Sequence, residues 1–229
     1  MSRWTEAQTI FLQLIDFSGQ VGLFAKQIES RLELATLMRY CGEFNKFESI
    51  IDQLKLKLTN IPHEITTEEI ELALELGNFD HAENLLSILP NSPRKDILRL
   101  SVDVLSGAAD DEHLHSLAEK IIMTFPDNSS VKARVHGLLG KRYEQLDNWE
   151  HAKAHFVLAL ELLTEADNDP FGLARSQTNL AALLMSMGNF DEANSLLQSA
   201  SHIQNVIKDY VGLAATRHNI HLLQNGFGG

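Results

Sequence analysis

The 229-residue sequence predicts an all-α chain, a superhelical solenoid of stacked helical hairpins with about twelve helices. Three observations predict it. A ten-residue motif occurs twice with seven positions identical, as Gly77-Asn78-Phe79-Asp80-His81-Ala82-Glu83-Asn84-Leu85-Leu86 and Gly188-Asn189-Phe190-Asp191-Glu192-Ala193-Asn194-Ser195-Leu196-Leu197. Apolar side chains recur at helical offsets behind the aromatic residue of that motif. Val and Ile rarely alternate with polar residues as strands require, while Pro62, Pro90 and Pro126 follow apolar helical runs and Pro93 and Pro170 stand near the starts of the next ones.

The aromatic residues serve as anchors. Asp147-Asn148-Trp149-Glu150-His151-Ala152 and Gly42-Glu43-Phe44-Asn45-Lys46-Phe47 share the motif's shape, and the anchors Trp4, Phe44, Phe79, Leu114, Trp149 and Phe190 are spaced by 40, 35, 35, 35 and 41 residues. Three positions on stand Ala7, Phe47, Ala82, Leu117, Ala152 and Ala193; seven on, Phe11, Ile51, Leu86, Ile121, Phe156 and Leu197; ten on, Leu14, Leu54, Leu89, Thr124, Ala159 and Ala200. These offsets share one helix face, and only Thr124 breaks its apolar character. A partner helix precedes each anchor, with Ala35, Ile70, Leu105, Gly140 and Ala181 nine residues before it and Met38, Ala73, Ala108, Tyr143 and Leu184 six before it. Small residues there let two helices approach closely. The turn between them often holds glycine, as in Met187-Gly188-Asn189, where a helix end needs positive φ.

Units of this length and pattern resemble the tetratricopeptide repeat. Leu139-Gly140-x-x-Tyr143, followed by Ala152, Phe156 and Ala159, is the best match to that family's motif. The resemblance implies a right-handed superhelix. A second echo, Asp169-Pro170-Phe171-Gly172-Leu173-Ala174 against Asp209-Tyr210-Val211-Gly212-Leu213-Ala214, with Asn179 and Asn219 at the same offset, is similar to the longer repeat subtype of bacterial peptide-sensing regulators and signalling scaffolds. The expected organisation of 1–229 is a single solenoid: an N-terminal half-unit at 3–16, hairpins at 20–59, 64–90, 93–125, 129–165 and 170–208, and a C-terminal half-unit at 211–225. The half-units are either caps or the cut edges of a longer array. The unit within 93–126 has the least typical residues and is expected to be the least protected.

Net charge is −12 with one cysteine, Cys41. Such acidity disfavours nucleic acid, whose phosphates demand a basic footprint. A single cysteine permits no internal disulfide and is read as a buried structural thiol. No run approaches a membrane span or a signal peptide, so a cytoplasmic location without membrane contact is expected.

Candidate chemistry is sparse. His151 and His155 are four apart, His218 and His221 three apart, and His113 and His115 two apart. The first pair is read as a solvated helix face, because a zinc protease would place glutamate beside the first histidine. Thr66-Thr67-Glu68-Glu69 is read as helix capping, and Asp110-Asp111-Glu112 as a turn leading into a helix. No phosphate loop, dinucleotide fingerprint or nucleophile elbow is present. The expectation is therefore no catalytic residue, no metal, no cofactor and no enzymatic activity.

The resemblance implies that the first helix of each hairpin lines a concave groove, through positions 15, 12, 11 and 8 residues before each anchor. Toward the N-terminus these include Glu29, Glu33, Glu64, Glu68 and Glu71; toward the C-terminus, Arg134, Lys141, Arg175 and Asn179, with His218 and Asn219 in the last half-unit. Asparagines at such positions bond the backbone of extended peptides in the family. Gly137 and Thr178 stand where carboxylate-clamp co-chaperones carry lysine, so that specialised function does not transfer. The expected function is a protein- or peptide-binding scaffold or adaptor whose groove takes an acidic segment. The alternatives are a peptide-responsive sensor domain of a larger regulator and, more remotely, an enzyme with a helical-groove active site. The two open ends also allow self-association.

Overall fold

A computed structural model describes residues 3–58, 61–166 and 169–226. The Trp4 side chain and residue 59, which closes one predicted span, lie outside the described residues. Contacts divide the chain into two compact units, Met1–Leu72 and Ala73–Gly229.

Among the described residues there are twelve α-helices and no strand. The first unit holds α1 (Arg3–Gln20), α2 (Phe24–Tyr40), α3 (Phe44–Lys57) and most of α4 (His63–Glu75). The second holds α5 (Phe79–Ile88), α6 (Pro93–Ser106), α7 (Asp111–Thr124), α8 (Ser129–Gln145), α9 (Trp149–Ala166), α10 (Pro170–Ser186), α11 (Phe190–Ile207) and α12 (Tyr210–Gly226).

The repeated glycine motif is a helix stop. In three turns a glycine takes positive φ, at 73° in Gly42, 68° in Gly77 and 79° in Gly188. Its N–H then bonds back to Arg39, Leu74 or Met185. The following N–H bonds one residue deeper, to Met38, Ala73 or Leu184, at 2.8–2.9 Å. This double closure satisfies carbonyls that the helix end would otherwise leave open. Asp147 adopts the same conformation without being glycine, at φ 54°. The next helix starts on the anchor aromatic in each case. Four other starts are capped by side chains: Ser92, Asp110, Asn128 and Asp169 accept N–H bonds, with Pro93 and Pro170 in the first turn.

Burial follows the repeat register. Phe47, Ile51 and Leu54 are buried in α3, Ala82 and Leu86 in α5, Ala152, Phe156 and Ala159 in α9, and Ala193, Leu197 and Ala200 in α11. Each large side chain so buried contributes about 1.5–3 kcal/mol. Two places depart from the register. In α1, Ile15 is buried while Leu14 is exposed. In the unit of α6 and α7, α6 stops at Ser106, with Gly107 in the left-handed conformation, and α7 starts at Asp111, three residues before the expected anchor Leu114. Counted from that start, buried Leu114, Ala118 and Ile121 occupy offsets 3, 7 and 10. Thr124 is therefore the exposed last residue of the helix rather than a core position, and Ala108 lies exposed beyond the end of α6.

Candidate functional site

In the second unit the first helices of successive hairpins lie side by side: α8 packs on α6 and α10, and α10 packs on α12. Side chains bridge them. Arg134 Nη2 donates to Ser101 Oγ across α8 and α6 at 3.1 Å, Gln145 Nε2 donates to the Val104 carbonyl at 3.0 Å, and the Thr178 and Thr216 hydroxyls meet at 2.9 Å between α10 and α12.

The six expected groove residues lie on three of these helices. Arg134 and Lys141 are on α8, Arg175 and Asn179 on α10, and His218 and Asn219 on α12. Arg175 and His218 are exposed; the other four are half-buried. Arg134 is engaged with Ser101, and Lys141 with Glu144 at 2.9 Å, its ammonium 5.8 Å from the centre of the Phe156 ring; Arg175 also takes part in an interaction.

The expected acidic positions have mixed fates. Glu33 and Glu64 are exposed, and Glu29 is exposed in an ion pair with Lys26. Glu68 instead meets Arg39 Nη2 at 3.1 Å and Nε at 3.2 Å, and Glu69 pairs with Lys55. The reading of Thr66–Glu69 as a capping segment is corrected accordingly. The helix starts earlier, at His63, Thr66 and Thr67 are buried, and the two glutamates tie α4 to α2 and α3.

The 40-residue echo is also explained by local structure. Asp169 and Asp209 each accept a 2.8 Å hydrogen bond from the N–H of the glycine three residues on, Gly172 or Gly212. A Cβ on Gly172 would lie 2.5 Å from the Asp169 carboxylate, so the Asp-x-x-Gly pair is a helix start with no room for a larger residue. Cys41 is half-buried against the core of the first unit, less enclosed than expected.

The fold is of the tetratricopeptide-repeat type. Two solved structures carry that conclusion. A signal-transduction ATPase with numerous domains from Pyrococcus horikoshii, described as having a tetratricopeptide repeat sensor, matches with TM-score 0.55 and 14% identity over 95% of this chain and 34% of its own. A tetratricopeptide protein from Thermus thermophilus matches with TM-score 0.55 and 21% identity over 85% of this chain and 100% of its own. This chain thus spans about a third of the first protein's length. At these identities the likeness is one of fold. No protein-family model and no curated protein matches the sequence.

Within the tetratricopeptide-type hairpin of α8 and α9 lies a cluster that the helical register alone did not reveal. His136 Nδ1 on α8 stands 3.1 Å from His155 Nδ1 on α9. The Tyr143 ring lies nearly parallel to those of His155 and His151, with centres 5.4 and 5.2 Å away. Its hydroxyl meets His115 Nε2 of α7 at 3.0 Å. His115 Nδ1 lies 2.7 Å from the Asp111 carbonyl, which can only accept. In neutral His115 the proton therefore sits on Nδ1, and Nε2 receives the Tyr143 O–H. Burial, then the positive potential of His136, His115 and His151, drives His155 down to about 4; burial, then Lys132, lowers His136. His155 is half-buried, which corrects the reading of His151 and His155 as a solvated pair; only His151 is exposed. The signal in the sequence was the hairpin itself, since His136 and His155 flank the turn at Asp147 on two helices that pack together.

Among the described residues no group of three or more His, Cys, Asp or Glu side chains could hold a metal ion, and no helix is long and apolar enough to cross a membrane.

Proposed function

We propose that the chain is a protein-binding scaffold that takes an extended, acidic segment of a partner along α8, α10 and α12. The observation that carries this reading is the placement of Arg134, Lys141, Arg175, Asn179, His218 and Asn219 on three first helices that pack in succession. Arginine can hold a carboxylate bidentately, and asparagine offers a donor and an acceptor to a strand-like backbone. Arg175 and His218 are exposed, so a ligand reaches them from solvent. Lys141, Arg134 and Arg175 would exchange existing partners for the ligand's; Arg175 and Asn179, on α10 between the other two helices, are the main anchors. On this reading the chain acts by holding a polypeptide, with no catalytic step of its own. The test is fluorescence anisotropy with labelled extended peptides, acidic, neutral and basic, at low and high salt. Selective binding of acidic peptides that weakens with salt supports the reading. Equal binding of all three classes, or none, removes it.

A second reading is a peptide-responsive sensor within a larger regulator. It is favoured by the likeness to a signalling ATPase whose repeat region is described as a sensor and of which this chain spans about a third.

A further inference from the structure

The contact between His136 and His155 makes a demand that ordinary packing does not. Two Nδ1 atoms at 3.1 Å, on rings whose planes differ by 24° and whose centres are 5.3 Å apart, face each other nearly head-on. Lone pairs aimed at each other leave room for one proton between them. Two bare nitrogens would repel, and two N–H groups would collide. Metal ligands would instead converge on a third point, and no further ligand completes such a site among the described residues. We propose that His136 and His155 form a one-proton latch that ties α8 to α9 and opens when the pair takes up a second added proton.

The proton count sets the behaviour. With both rings neutral, one carries its proton on Nδ1 and donates, while the other carries it on Nε2 and accepts. The first added proton goes to the free Nε2 of the donor ring. It leaves the Nδ1–H···Nδ1 bond in place and strengthens it with charge. The second must go to the accepting Nδ1. That removes the acceptor, sets two N–H groups against each other and places two positive rings side by side.

The surroundings oppose that second proton. The groups acting on the pair are His115 from α7, Lys132 from α8 and His151 from α9, all positive or able to become so. Tyr143 covers His155, and α10, which packs on both helices, carries Arg175 as its one ionisable side chain. Both histidines are shifted toward the neutral form, His155 to about 4. The latch therefore holds at neutral pH and yields in acid, within the hairpin that also carries Lys141 and Arg134.

The experiment is a pH titration of the full chain, followed by imidazole nitrogen shifts in NMR, with amide protection of α8 and α9 read at each pH. At neutral pH one ring of the pair should be the Nδ1–H tautomer and the other Nε2–H. Protection across α8 and α9 should persist through the first proton and drop with the second. His136→Ala should raise the titration midpoint of His155 by about one pH unit or more, by removing a neighbouring charge and the shared proton. His136→Asn supplies a neutral partner that cannot be protonated, and should keep the hairpin protected into acid; it also serves if the alanine variant fails to fold. Two Nε2–H tautomers at neutral pH would overturn the latch. So would independent titration of both rings near the ordinary imidazole value, or protection that ignores the second proton.

Discussion

A Cβ added to Gly140 would sit 2.6 Å from the Phe156 ring, closer than packed side chains come. Glycine here is what lets α8 approach α9 and bury Phe156 completely. Two effects compete in Gly140→Ala. Alanine favours a helix interior by about 1 kcal/mol, while overpacking a tight core costs about 1–3 kcal/mol. The ring is fully enclosed and cannot retreat, so overpacking wins. Urea denaturation should show Gly140→Ala less stable than the parent and Gly140→Val less stable still. A stabilised alanine variant would mean that the ring moves aside freely.

The turn glycines and Asp147 make an opposed pair of predictions. Left-handed backbone costs an ordinary residue about 1–2 kcal/mol. Gly188→Ala should therefore lower stability by about 1 kcal/mol, since no side chain is crowded there and backbone strain is the only new cost. Asp147→Gly should be neutral to stabilising, because relief of strain at φ 54° offsets the added freedom of the unfolded chain. The two changes in denaturation midpoint should have different signs or sizes. Equal losses would point to a structural role for the Asp147 side chain.

Arg39 and Glu68 are both largely enclosed, with side chains 5% and 14% exposed. Removing one charge of such a pair costs about 3–5 kcal/mol, because the other loses its partner out of water. Glu68→Ala should fall at the lower end of that range, since Arg39 makes further interactions. The double variant Arg39→Met/Glu68→Leu should recover most of the loss in chemical denaturation. If Glu68→Ala costs nothing, the pair is solvated in solution.

Hydrogen exchange should find its early-opening segment in α5 rather than in α6 and α7. The atypical residues of 93–126 had suggested weakness there, yet α7 buries Leu114, Leu117, Ala118 and Ile121. The ten-residue α5 buries only Ala82 and Leu86 along its length. Short helices with few buried contacts open first. Amides of α5 should exchange before those of α7; the reverse order would restore the original expectation.

What was legible in the sequence was what a helix repeats. Ala152, Phe156 and Ala159 follow the spacing of one face, and Gly188 with Asn189 marks a stop, so hairpins and their core could be read directly. A shift within one hairpin could not: the early stop at Gly107 and the Asp110 cap move α7 by three residues, while the even 35-residue spacing pointed to Leu114 as the anchor. Nor could pairings between helices. Glu68 sits at an expected groove position, but Arg39 lies within reach on α2 and takes it. His155 falls on an outward face of its own helix, and only the opposing His136 and Tyr143 half-bury it. For the six groove residues, the sequence placed each on a first helix but held no trace of the ties of Arg134 to Ser101 and Lys141 to Glu144.

The lowered affinity of His155 for a proton makes stability depend on pH, with a sign that follows from counting protons. Unfolded histidine titrates near 6.5, folded His155 near 4. Between these values the unfolded chain binds more protons than the folded one, so stability rises with pH through the window and falls as pH drops from about 6.5 toward 4. Above the window His155 adds no further pH dependence. Because the ring is only half-buried, solvent screening reduces the full linkage, and the loss attributable to His155 should be about 1–2 kcal/mol. Urea denaturation at steps between neutrality and the carboxylate range measures it, with His155→Gln as the reference that lacks the group. The total loss of stability across the window should be smaller in the variant by that amount. Equal slopes in the two proteins would show that His155 keeps an ordinary proton affinity when folded, and that the cluster around Tyr143 is open to water.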